Sequence, residues 1–238
     1  DGDARNEDEW RDTHFRLEGP AVDGLRSAFV DNWAETGARI FDPSVDRFPI
    51  QPRNGSSTLQ VVSEAAETGW SDISTLFRVL VTLAEHRLRI TTAYFNPDDL
   101  LIDLLSDAAQ RGVDVEILLP GPHADKRFAQ VSSENAYAAL LENGVRIWNF
   151  QPSMLHAKIL TVDGRISSVG SANMNHRSIL HDEEVNLVVY DSDFTSELDA
   201  DFDADLERSI EISADRWADR GVAQKAKEAV IDKVKDVL

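Results

Sequence analysis

The sequence predicts an α/β domain in which helices cover a β-sheet. Three observations predict it: 42% of the 238 residues are hydrophobic, enough for a sizeable core; strand-like and helix-like apolar periods alternate from about residue 59 onward; and Gly, Pro and Asn punctuate the boundaries between them. The order of elements follows. THFRLEG alternates like a strand, and Pro20 to Trp33 carries Val22, Leu25, Phe29 and Trp33 on one helical face. Thr36 to Gly55, rich in Pro, Gly, Asp and Arg without a period, reads as a linker or loop with a domain boundary near Gln51. Beyond it come a strand at Leu59–Val62, a helix at Ser71–His86 and a strand at Leu88–Thr92. Asn96 is the expected cap of a helix starting at Pro97 and closing at Gly112. VDVEILLP is a buried strand, Ser132–Asn143 a helix stopped by Gly144, and VRIWNF the next strand. LHAKILTV and RISSVG, joined by Asp163-Gly164, read as a β-hairpin on a type I′ turn. EVNLVVY is a strand, Asp193–Glu211 a helix, and residues 213–238 an amphipathic helix with four lysines, read as a solvated face with an apolar side on the domain.

The charge limits the partners. Lys and Arg total 24 against 43 Asp and Glu, a formal charge of −19 that repels nucleic acid and anionic surfaces at long range. The chain has no cysteine, which excludes disulfides, thiolate metal sites and a cysteine nucleophile. No apolar run reaches the roughly 20 residues needed to span a bilayer, and DGDARNEDEW has neither the basic nor the apolar region of a signal peptide. A first residue other than Met raises the expectation of a fragment or processed chain.

An internal echo strengthens that expectation. WRDTHFRLEGPAVDGLRSAFVDNW and DEEVNLVVYDSDFTSELDADFDADL share an acidic residue, a strand, a turn and a helix. Aligned on Asp12 and Glu184, the strands match without a gap and the helices after a shift of one residue. If the second unit follows a catalytic hairpin, the first should follow one that lies before residue 1.

The chemistry is carried by HAKILTVDGRISSVGSAN. On a strand, residues two apart share a face, so His156 and Lys158 project together. A neutral imidazole beside an ammonium group can attack phosphorus while the cation neutralises the phosphoryl oxygens. Ser171 and Asn173 follow the next strand at the same end, where hydroxyl and amide could complete an anion cradle. Singly, each residue has an ordinary explanation: a core histidine, an edge lysine, a turn Asp-Gly. The combined spacing, H-x-K-x4-D-x6-G-S-x-N, argues against coincidence.

This string resembles the HKD motif of the phospholipase D superfamily, and its setting resembles the second half of bacterial cardiolipin synthases. ITTAYFNPDD, RGVDVEILLPG, GVRIWNFQPSMLHAK, GSANMNHRS and DEEVNLVVYD carry the resemblance, with WRDTHFRLEGPAV similar to the end of the first half. Ala93 stands where the family often has proline. The resemblance implies a phospholipase D-type fold, a mixed sheet flanked by helices, with residues 51–212 a complete half and 1–50 the end of a preceding pseudo-symmetric half and linker. It implies two HKD motifs meeting at one site, no metal or other cofactor, one histidine forming a phosphohistidine, and the other protonating the departing alcohol and activating the incoming one.

The implied site residues are His156, Lys158, Asp163 and Glu184, with Lys158, Ser171 and Asn173 on the phosphate. Glu184 matches the acid that orients a catalytic histidine through its other ring nitrogen, and Asp12 is its counterpart in the first half, with a capping or turn role nearly as good an explanation. Asp163 is expected to stabilise the hairpin more than to handle protons. His14 has no Lys two positions on and reads as a strand residue; His86, His123, His176 and His181 read as surface or packing residues.

The implied function is phosphatidyl transfer on a phosphatidylglycerol-like phospholipid, at a membrane surface and in a parent protein at the cytoplasmic membrane. Lipid hydrolysis uses the same residues. A homodimeric HKD nuclease is a further reading that the −19 charge disfavours. A missing N-terminal half or a homodimer partner is expected to complete the site, so the isolated chain is expected to turn over little or not at all, as a non-catalytic half.

Overall fold

The computed structural model describes residues 2–37, 49–64, 71–125, 136–214 and 217. In chain order these form α1 (Val22–Glu35), β1 (Thr58–Glu64), α2 (Asp72–Leu83), β2 (Arg87–Thr91), β3 (Phe95–Asn96), α3 (Asp99–Gln110) and β4 (Asp114–Pro120). Then come α4, described over 136–142, β5 (Arg146–Phe150), β6 (Ile159–Val162), β7 (Ile166–Gly170), β8 (Met174–Asn175), α5 (His176–Leu180), β9 (Glu184–Tyr190), α6 (Ser192–Leu206) and β10 (Ser209–Ile212). One eight-stranded sheet runs in the order β1-β9-β7-β6-β2-β4-β5-β10, and β3 and β8 form a separate parallel pair. The centre β2-β4-β5 is parallel because α3 and α4 supply the crossovers; β6, β7, β9, β1 and β10 are antiparallel.

Both faces of the central strands are covered, which explains the continuous apolar run of β4. Leu88 and Ile90 of β2, and Val115, Ile117 and Leu119 of β4, pack with Ile73, Phe77 and Leu80 of α2 and Leu101 and Leu105 of α3. Alternate residues face α6: Leu118 joins Phe202 and Phe150, and buried Arg89 reaches Glu116, Asp199 and Asp203. The hairpin turn has positive φ at Asp163 (52°) and Gly164 (63°), with Arg165 N–H donating to Val162 O at 3.0 Å.

Four expectations change. Thr13–Leu17 forms no strand, because no strand of the described residues pairs with it. Asp98, not Asn96, caps α3 by accepting from Leu101 N–H; Pro97 holds Asn96 in the extended region, where it pairs in β3. The strand of LHAKILTV starts only at Ile159. The helix expected to run to Glu211 stops at Leu206, since the β-branched pair Ile210 and Ile212 extends the sheet beside β5. The start of the Ser132 helix, most of the Thr36–Gly55 linker and nearly all of the C-terminal helix lie outside the described residues.

Candidate active site

Leu155 and Ala157 are buried, so the extended segment leading into β6 turns His156 and Lys158 to the other side. This segment has a neighbour from far away in sequence. Arg11 N–H donates to Met154 O (2.8 Å) and His156 N–H to Arg11 O (2.7 Å), a parallel bridge between Arg11 and Leu155. The bridge lays Trp10 and Asp12 beside His156. The Trp10 ring centroid is 4.6 Å from that of His156, and Tyr94 meets the imidazole edge-on at 6.5 Å.

Asp12 Oδ2 lies 3.3 Å from His156 Nδ1, and Lys158 Nζ lies 3.2 Å from each ring nitrogen. A carboxylate only accepts and an ammonium only donates, so the arrangement fits an Nδ1 proton toward Asp12 and an Nε2 lone pair toward Lys158. Burial alone would raise Asp12, but hydrogen bonds from His156 and Thr13 N–H and the charge of Lys158 hold it below the ordinary carboxylate value. Burial pushes the Lys158 ammonium down, against the pull of Asp12, Glu184 and Asp125. Tyr94 Oη donates to Asp125, and burial together with that carboxylate pushes the phenol up to about 12.

The Gly170–Asn173 turn is fixed from β9. A Cβ on Gly170 would fall well inside 3.0 Å of Val185 O and Asn186, so only glycine lets β9 pass this closely. Ser171 Oγ accepts from Val185 N–H at 3.0 Å, and Ala172 N–H donates to Asn186 Oδ1 at 3.2 Å. Buried Asn173 donates its backbone N–H (3.2 Å) and Nδ2 (3.4 Å) to Ser178 Oγ, which itself donates to Glu184. Glu184 thus orients Ser178 and Asn173, while the acid beside His156 is Asp12. An open cleft of about 930 Å³ extends from Asp12 and Ser171 along Phe15, Leu17, Val185 and Leu187.

Asp163 is not in this cluster. Lys158 precedes β6 and Asp163 follows it, so the strand separates them. Its carboxylate accepts from the backbone N–H groups of Glu85 (3.0 Å), His86 (2.8 Å) and Arg87 (2.8 Å), which overcome burial and hold it below its ordinary value. It ties the hairpin to the α2–β2 connection. His14 lines the cleft, and the rings of His176 and His181 lie 6.2 Å apart, outside the His156 cluster. Trp10, Tyr94, Asp125 and Ser178 escaped sequence reasoning. Tyr94, Trp10 and Ser178 lie within ITTAYFNPDD, WRDTHFRLEGPAV and GSANMNHRS, the signal that could have found them; Asp125 depends on tertiary contact.

A family model described as "Cardiolipin synthase, PLD-like domain" matches residues 78–206. The chain is 34% identical over 190 residues to a cardiolipin synthase of Geobacillus thermodenitrificans, covering 79% of this chain and 38% of that protein. It is 31% identical over 222 residues to one from Listeria monocytogenes, covering 93% and 46%. The chain therefore spans less than half the length of these curated relatives. Among solved structures, it resembles phosphatidylserine synthase of Haemophilus influenzae (TM-score 0.60, 17% identity, 95% of this chain and 56% of that one). It also resembles Nuc, a phospholipase D family member from Salmonella typhimurium (TM-score 0.58, 17% identity, 66% and 99%). The two likenesses carry the fold alone, a phospholipase D-type α/β fold. With more than half of its length matched by the family model, the chain belongs to the phospholipase D-like domain family of cardiolipin synthases.

Proposed function

We propose that this chain is the second catalytic half of a phosphatidyltransferase that joins phosphatidylglycerol-like lipids at a membrane surface. The observation that carries the reading is the Asp12–His156–Lys158 cluster: an imidazole whose Nδ1 faces a carboxylate and whose Nε2 faces the Lys158 ammonium at 3.2 Å, a nitrogen that can take phosphorus or a proton once the cation turns to substrate. Lys158 leaves His156 for the phosphodiester oxygens when substrate enters, Ser171, which lines the cleft with Asp12, donates to them as well, and Asn173 joins only by releasing Ser178. In a two-histidine exchange, one imidazole bonds to phosphorus while the other gives its proton to the departing glycerol oxygen; the second then takes the proton of the incoming hydroxyl as the P–N bond breaks. His156 is one member of that pair. The other comes from a preceding half or from a partner copy, and Glu184, equivalent to Asp12 in the internal echo, stands as the acid available to it. No helix among the described residues is long and apolar enough to cross a membrane.

The test is a chimaera in which this chain replaces the matched segment of the Geobacillus thermodenitrificans cardiolipin synthase. Fed phosphatidylglycerol, it should release one glycerol for each diphosphatidylglycerol formed, while the chain alone gives little or no product. Glycerol without the dimeric lipid would make the activity hydrolytic, and robust transfer by the monomeric chain alone would refute the two-half reading.

A further inference from the structure

Asp12 comes from a segment that belongs to no strand, and its side chain is 48% exposed, yet the imidazole geometry depends on where it sits. What holds it is a strap made by residues 2–12. Asp12 N–H donates to Gly2 O at 3.1 Å and Asp3 bridges Arg11, closing the strap on itself. Ala4, 1% exposed, plugs into Leu118, Phe150, Leu155 and Phe202, and Arg208 caps the carbonyls of Asp3 and Ala4. The fastening nearest the site is Arg11, whose backbone bonds to Met154 O and His156 N–H bring the strap alongside and whose side chain fixes it to α6. Its Nε donates to both oxygens of Asp205 (2.9 and 2.8 Å), a residue of α6 only 6% exposed, while its Nη1 reaches Asp12 O (2.7 Å) and Thr13 Oγ1 (3.2 Å). One planar guanidinium thus ties the backbone of Asp12 to a helix packed on the sheet into which the His156 segment leads.

We propose that the Arg11–Asp205 pair is a positioning latch that sets the Asp12–His156 distance and thereby decides which nitrogen of His156 carries the proton. A movement of about 1 Å at Asp12 would take the 3.3 Å contact out of hydrogen-bonding range, leaving both tautomers open and Nε2 blocked part of the time. Neither Arg11 nor Asp205 touches the imidazole; they act through Asp12. A lysine at position 11 would keep the charge opposite Asp205, but a single ammonium cannot also reproduce the fork to Asp12 O and Thr13.

The inference rests on reading Asp12 and His156 as a working pair, and its test reads ring geometry instead of turnover, so the two can fail separately. The probe is the intact 238-residue chain labelled with ¹⁵N and ¹³C, with long-range ¹H–¹⁵N correlations of the His156 ring at about pH 8 and a titration of the Asp12 carboxyl carbon. In the wild type the Nδ1–H tautomer should dominate. Arg11→Lys and Asp205→Asn should shift the ring toward a tautomer mixture, as Asp12→Asn does, and move the Asp12 midpoint up toward its ordinary 3.8. Adding Arg11→Lys to Asp12→Asn should change the ring no further. Arg146→Met, which removes bonds to Asp114 (2.7 Å) and Glu116 (3.0 Å), should leave both signals at wild type.

Folded Arg11→Lys and Asp205→Asn chains with wild-type ring signals and Asp12 titration would overturn the latch alone, as would equal changes in Arg146→Met. A wild-type ring without Nδ1–H character would overturn the pair and the latch together. Arg11→Lys keeps the charge at the strap, so a variant that folds is at hand even where Asp205→Asn does not.

Discussion

Replacing Asp163 by Asn separates a structural from a chemical role for the last member of the H-x-K-x4-D string. Asn tolerates the φ of 52° at this position, so the backbone is not perturbed. Its Oδ1 can keep the bonds from His86 and Arg87 N–H, but Nδ2 then faces the N–H of Glu85, losing that bond and the negative charge. A net hydrogen bond is worth about 0.5–1.5 kcal/mol, more when charge-assisted, and exposed Glu85 can turn to water instead. The loss should therefore be about 1–2 kcal/mol, or roughly 2–8 °C in Tm for a domain of this size, and larger for Asp163→Ala, which loses all three bonds. The pH dependence has a definite sign. Because the folded state holds Asp163 below its ordinary 3.8, its stabilisation is complete above that value and disappears as pH falls through the depressed folded value. Thermal melts followed by circular dichroism at pH 7 and through about pH 4 to 3 measure both effects. A Tm unchanged at pH 7, or a wild-type advantage that stays constant into acid, would refute the brace.

Other substitutions test neighbouring parts of the account. Arg89→Met takes the shared cation from buried Glu116 and Asp199, which keep Arg146 and Arg87 respectively, so the cost in urea unfolding should be about 1–3 kcal/mol; a loss well under 1 kcal/mol would mean that the network is not held by Arg89. Gly170→Ala forces a Cβ into Val185 O and Asn186, so it should destabilise by about 1–3 kcal/mol and shift the Ser171 and Asn173 amide resonances. Unperturbed resonances there would show that the turn has room to spare. Asp12→Asn in the chimaera should lower transfer by about 10²- to 10⁴-fold with the Tm preserved, as expected when a histidine loses the acid that fixes its tautomer.

The alternating α/β order was legible because periods of two and 3.6 residues survive in the sequence wherever a face is buried, as along β2, α3 and β9. Where pairing rather than period decides, it was not. Thr13–Leu17 alternates well and still makes no strand, and SIEI reads as the tail of a helix until β5 is beside it. The α3 cap was displaced by two residues because Pro97 acts on Asn96 before it and Asp98 had no distinguishing mark. At the candidate site, the hairpin spacing singled out His156, Lys158, Ser171 and Asn173, and the echo drew attention to Asp12. That Asp12 meets His156 while Glu184 meets Ser178 depends on a bridge between Arg11 and Leu155, residues 144 positions apart. No local pattern encodes such a contact, and the same holds for Trp10 and Asp125.

The most direct test of the central claim is the rate of phosphatidyl transfer by the chimaera with and without His156→Ala, with folding checked by its melting curve. The account predicts a fall of at least about 10³-fold in diphosphatidylglycerol formation and in glycerol release together, at an unchanged Tm. Transfer within a few-fold of wild type in the folded His156→Ala protein would contradict it.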